Sequence, residues 1–149
     1  MGMSLENLLK TGQLEAHTTD ARQLAKLLEA ARRSLADARE VVISNESRLD
    51  VAYKAIIQIC MAVLWANGYR PSKNKPGHHQ IMIQSLVSSI DLDNDEMRLL
   101  DTFRVKRNMI DYTGQDVDEG SVDACIKAAE RLFQCATVWL EANKPELMK

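Results

Sequence analysis

The stretch that decides the fold is Thr18–Val42, TTDARQLAKLLEAARRSLADAREVV. Its apolar positions Leu24, Leu28, Ala31, Leu35, Ala38 and Val42 are spaced 4, 3, 4, 3, 4. That spacing places them on one stripe of a helix, the seam of a helix lying nearly parallel or antiparallel to its neighbours. Thr18-Thr19-Asp20 offers capping oxygens for the first turn. The seam returns twice. Leu49, Tyr53, Ile56, Cys60 and Val63, widened by Ile57, Met61 and Leu64, predict a helix from about Arg48 to Asn67. Val122, Ile126, Ala129, Phe133, Ala136 and Leu140 predict a last helix, opened by Ser121 and ended by Pro145.

The remaining elements fall between these three. Leu5–Leu14 is a short amphipathic piece with Gly12 near its end. Ser44-Asn45-Glu46-Ser47 breaks the first long helix and caps the second. Asn67-Gly68, with Pro71 beyond, stops the second. A loop from Tyr69 to Gly77 carries Arg70, Lys73 and Lys75. A further helix is expected from near His78 through Ile81, Ile83, Leu86, Val87 and Ile90. Asp93-Asn94-Asp95-Glu96 is a capping box for the next, which carries Leu99, Leu100, Phe103, Met109 and Ile110 up to Gly114. Gln115 to Gly120 reads as an acidic loop. Short connections imply antiparallel neighbours. The expected fold is therefore all-α: one domain over residues 1–149, an antiparallel up-and-down bundle of about five main helices plus a short N-terminal helix.

Composition agrees. Of 149 residues, 46% are hydrophobic and 5% aromatic, with six Gly and three Pro. That is too little punctuation for a sandwich or barrel of many short strands. No apolar run approaches a membrane span, and no basic region precedes an apolar stretch at the N-terminus, so neither a membrane helix nor a signal peptide is expected. Cys60, Cys125 and Cys135 form no CxxC pair. Cys125 and Cys135 share a predicted helix and stand roughly 15 Å apart, beyond disulfide reach. They read as small reduced core residues of a cytoplasmic chain. His17 has no ligand spacing to His78 or His79, so no metal is expected; no cofactor is expected either.

The net charge of −2 argues against a bulk polyanion binder, yet it hides an asymmetry. Val51 to Ile90 holds no acid, but it holds Lys54, Arg70, Lys73, Lys75, His78 and His79. Asp91 to Ala124 holds ten acids against Arg98, Arg104, Lys106 and Arg107. Those four bases and the basic loop read either as a local site for a phosphate-bearing ligand or as solvated charge balancing a bundle.

The segment Phe103–Tyr112 breaks the pattern of a core helix. Leu100, Phe103, Arg107 and Ile110 are spaced 3, 4, 3, which puts Arg107 on the apolar stripe. A guanidinium there needs partners. Asp111, one turn on, is the natural one, although Arg before acid is the weaker order on a helix. Arg104, Asn108 and Tyr112 share a neighbouring face. The cluster reads as a structural network at a helix or subunit interface, or as a site for an anionic substrate with Arg107 as the electrophilic group.

With Leu8–Leu14, Ala30–Ala38, Ala52-Tyr53-Lys54-Ala55, Asn67–Pro71, Gly77-His78-His79 and Arg104–Tyr112 in this order, nearly the whole chain resembles the HEPN (higher eukaryote and prokaryote nucleotide-binding) family. It is most similar to the prokaryotic branch whose motif ends in Asp-Tyr. The resemblance implies an antiparallel helical bundle that homodimerises, with the motif helices of both subunits in a shared cleft. It also implies an RNA- or nucleotide-associated role in a toxin–antitoxin system or beside a minimal nucleotidyltransferase partner. Arg107 and Asn108 match the first two positions of the family's Arg–His motif, and Asp111 and Tyr112 complete the Asp-Tyr form. The active members place His where this chain has Tyr112. A phenol with a reference pKa of about 10 is a poor base at neutral pH. The expected function is thus a binding module without efficient catalysis. The alternatives are a metal-independent ribonuclease toxin using Arg107, Asn108 and Tyr112, supported by Arg70, His78 or His79, and a purely structural helical dimerisation protein.

Overall fold

The computed structural model describes residues 4–73 and 77–149; Lys75 lies outside the described residues. The elements run α1 (Leu5–Lys10), β1 (Leu14–Ala16), α2 (Ala21–Ala38), α3 (Asn45–Ala66), β2 (Tyr69–Pro71), α4 (His78–Gln84), α5 (Leu86–Ser89), α6 (Asn94–Thr113) and α7 (Glu119–Asn143), with a closing 3-10 turn, Pro145–Leu147. The architecture is the expected antiparallel up-and-down bundle, with a two-stranded ribbon added.

Helix α3 is the axle. It packs against α2 and α7, and also against α4 and α6. Residues such as Leu49, Ala52, Ile56, Ile59, Val63 and Leu64 are buried on a broad face of the helix. A long helix so largely apolar belongs in a core or a membrane. By length and composition alone α3 is apolar enough to cross one, but most of its apolar window is enclosed by the other helices. Leu24, Ala31 and Leu35 of α2, and Val122, Ala129, Leu132, Ala136 and Leu140 of α7, bring the predicted seams onto this centre.

The caps follow side-chain chemistry. Asp20 Oδ1 accepts from Gln23 N at 2.8 Å, and Ser44 Oγ accepts from Ser47 N at 3.1 Å. Asp93 Oδ2 accepts from Asp95 N and Glu96 N. The Glu96 carboxylate of the expected capping box serves α7 instead, accepting from Arg131 Nε at 2.9 Å.

Several boundaries depart from the sequence reading. Helix α2 ends at Ala38, and Val42 is 87% exposed rather than on the seam. The buried Arg48 explains the stop, because its Nε donates to the Ala38 carbonyl at 2.8 Å, where an orphan acceptor of the last turn needs a partner. The last helix opens at Glu119 with Asp118 as cap, so Ser121 stands inside its first turn and the acidic loop is shorter. The helix expected over His78–Ile90 is interrupted at Ser85, whose buried Oγ back-bonds to the Met82 carbonyl at 2.8 Å. Cys60 and Cys125 are core residues, but Cys135 is exposed, off the buried stripe of α7. Burial pushes the Cys60 thiol up, and that of Cys125 up to about 12, so both stay protonated.

The ribbon is the element that periodicity missed. Leu14, Glu15 and Ala16 pair antiparallel with Pro71, Arg70 and Tyr69. The ladder extends past its ends, His17 N donating to Gly68 O at 2.9 Å and Ser72 N to Gln13 O at 3.0 Å. Gly68 makes the turn out of α3 at φ +90, which an L side chain rarely adopts. Three-residue strands are too short to carry an alternation signal.

Candidate functional site

The motif helix α6 is peripheral: of its twenty residues, only Leu100 and Phe103 are buried. Phe103 anchors the apolar stripe one turn before Arg107. The Arg107 side chain is 31% exposed, and its Nε donates to Asp50 Oδ1 of α3 at 2.9 Å. Asp111, the partner expected from sequence, stands farther off at 3.6 Å. Asp50 wins because α3 presents it squarely across the helix crossing, whereas Asp111 lies in the unfavourable order on the same helix. Arg107 also lies over the Tyr53 ring, 5.4 Å from its centroid.

The remaining motif residues separate. Arg104 is held by Asp101 through Nε at 2.7 Å and Nη2 at 3.3 Å, a two-pronged pair that holds the guanidinium in its charged form. Asn108 is half-buried on the same helix. Tyr112 is 91% exposed, well clear of any half-buried network. Val105 and Met109 are exposed as well, so α6 shows solvent an apolar stripe of Val105, Met109 and Tyr112 beside its arginines.

Helix α4 brings His79 to Arg107. His79 Nδ1 lies 3.1 Å from Tyr53 Oη. Burial holds the Tyr53 phenol well above the usual range. Burial, together with His78, Arg107 and Arg104, holds the imidazole below the usual histidine value. The phenol and the imidazole thus share one hydrogen bond, whose donor is set by the imidazole tautomer. Asp50, Tyr53, Lys54, Ile57, His79 and Arg107 line a cavity of about 200 Å³. His79 Nδ1 is therefore engaged by Tyr53.

A second cavity, about 350 Å³, shares the walls Ile57 and His79 with the first. Its apolar walls include Met61, Trp65 and Met82, and its rim carries Arg70, Lys73 and His78. Arg70 is paired across the ribbon with Glu15 at 3.0 Å, and that pair holds the Glu15 carboxyl below its usual range. A larger groove of about 520 Å³ lies between α2 and α7, but its cations are matched. Arg39 pairs with Glu130, and Arg32 covers the Phe133 ring.

Of the residues expected from sequence, the fold thus joins Arg107 and His79 in one cavity and sends Arg70 and His78 to the next. Sequence reasoning passed over Asp50 and Trp65, named Lys54 only as one base of the acid-free stretch and in the resemblance, weighed His17 only as a metal ligand, and counted Ile57 only on the seam. The signal was present in the spacing: Asp50, Lys54 and Ile57, then Met61 and Trp65, follow one face of α3 at steps of 4, 3, 4, 4. Among the described residues no three metal-ligating side chains converge. Comparison with family models, curated proteins and solved structures finds no match to this chain.

Proposed function

We propose that this chain is a HEPN-like nucleotide- or RNA-associated binding module, a cytoplasmic homodimer of a toxin–antitoxin or nucleotidyltransferase-associated system, without efficient catalysis. The observation that carries the binding role is the state of Arg107. Among the described residues it donates only through Nε, to Asp50, so the two terminal nitrogens of a partly exposed guanidinium remain for an anionic group. Lys54 lines the same cavity. The exposed stripe Val105, Met109 and Tyr112 supports dimerisation along α6, since contiguous apolar surface on a soluble chain marks a partner face. The reading without efficient catalysis rests on the missing base: the motif position of the histidine holds Tyr112, and Tyr112 does not line the cavity.

One observation favours the ribonuclease reading, namely that His79 lines the same cavity as Arg107. A single pair of measurements tests both. Binding of a fluorescein-labelled single-stranded RNA, read by anisotropy, is expected to weaken at least about tenfold in Arg107→Ala. The unchanged affinity of that variant removes the Arg107 reading. Incubation of the same RNA with excess protein and chelator is expected to leave it intact; cleavage lost in both Arg107→Ala and His79→Ala establishes the ribonuclease instead.

A further inference from the structure

The connection between α2 and α3 exposes apolar surface that neither the core nor the Arg107 cavity uses. Val41 is 74% exposed and Val42 87%, and Ile43 beside them is exposed as well. None of the three joins the packed interior. In a longer α2 the Val42 N–H would donate to the Ala38 carbonyl, four positions back. That carbonyl accepts instead from Arg48 Nε at 2.8 Å, so the helix stops and Val42 is turned off the seam. Single aliphatic side chains scattered over a surface are ordinary, but three in a row held in water mark a contact face.

The charges around the connection say what covers it. Asp37 and Glu40 precede it and Glu46 follows it; all three are exposed, and none has an ion pair among the described residues. Asn45 Nδ2 donates to the Val117 carbonyl at 3.0 Å, which ties the connection to a second loop, where Asp116 and Asp118 flank Val117. The nearest arginines in the chain are engaged, Arg39 with Glu130 and the buried Arg48 with Ala38. Two copies meeting through this face would bring like charges together, and an anionic lipid surface would be repelled by the same acids. We propose that Val41, Val42 and Ile43 form a docking surface for a second protein, one whose apolar face is bordered by lysine and arginine side chains. The aliphatic trio supplies the contact that excludes water, and the acids steer and orient the partner. The proposal is independent of Arg107 and of the α6 stripe.

Two fluorescein-labelled amphipathic helical peptides serve as probes, one of leucine and lysine, the other with glutamate in place of each lysine. Their anisotropy is followed as the full chain is added. The leucine–lysine peptide is expected to saturate below about 0.1 mM, and the leucine–glutamate peptide at least about tenfold higher. Val41→Ser with Val42→Ser is expected to weaken the first peptide at least about fivefold. Glu40→Gln with Glu46→Gln is expected to weaken it about threefold and to flatten its salt dependence. Val138→Ser, at an exposed valine of α7, is expected to leave it unchanged. Every substituted side chain is exposed, and circular dichroism checks that each variant is folded. Failure of the leucine–lysine peptide to saturate overturns the proposal. So does equal binding of the two peptides, or an affinity that Val41→Ser with Val42→Ser leaves untouched. A native dimer that those two changes dissociate, read by light scattering, overturns it too, because the face is then a contact between copies.

Discussion

His79 couples the chemistry of the cleft to the stability of the fold. Its pKa is held below the ordinary histidine value first by burial, then by His78, Arg107 and Arg104, while its Nδ1 is hydrogen-bonded to Tyr53 Oη. In the unfolded chain the same imidazole takes up a proton near pH 6.5. Below that value the unfolded state binds more protons than the folded one. The contribution of neutral His79 is therefore complete above about pH 6.5 and is lost as the pH falls from there towards the folded pKa. The urea midpoint is expected to drop between about pH 7.5 and 5.5, and His79→Gln is expected to flatten that part of the slope. An identical slope in the variant dissociates His79 from the acid response. Arg107 shows how far a single residue could be read. Its place on the apolar stripe was visible in the 3, 4, 3 spacing, and so was its need for a carboxylate. The choice of Asp50 over Asp111 was not, because Asp50 lies 57 positions away and only the crossing of α3 and α6 brings it near.

The helices divide by how their ends are made. Caps built from neighbouring residues, such as Asp20 on α2 and Ser44 on α3, were legible because donor and acceptor lie three positions apart. The C-terminus of α2 was not legible, because the group that ends it comes from another helix. Arg48 is 5% exposed and donates to the Ala38 carbonyl. Its removal leaves that acceptor and the packed side-chain stem without partners. Arg48→Ala is expected to cost about 2 kcal/mol in urea unfolding, the scale of a hydrogen bond to a charged group. Amide exchange should accelerate at the end of α2 while the start, held by Asp20, stays protected. Uniform acceleration along the helix refutes a capping role. The ribbon is the other element that local patterning could not supply. Its strands are three residues each, and its ladder joins segments on either side of two long helices. Yet it places His17 against Trp65 and Arg70 at the cavity mouth.

Across the whole molecule, the near-neutral total conceals a division of labour. The acid-free stretch from Val51 to Ile90 supplies Lys54, Arg70, Lys73, His78 and His79 to the two adjoining cavities. The acidic stretch supplies α6, which exposes the apolar stripe Val105, Met109 and Tyr112. If that face is the dimer seam, light scattering gives about twice 16.8 kDa. Val105→Lys with Met109→Lys is then expected to yield a folded monomer, since both side chains are exposed in the isolated chain and their loss removes no core contact. A native chain that is monomeric at high concentration excludes the shared-cleft arrangement.

The sequence by itself determined the helices, the bundle and the stripe that carries Arg107, because helical periodicity and cap chemistry act over a few residues. Only the tertiary structure decided which acid holds Arg107, which histidine stands beside it, and that Trp65 and His17 meet at a second cavity. Each of these pairs lies far apart in the chain. Their meeting depends on the crossing of α3 with α4 and α6, and on a ribbon too short to announce itself.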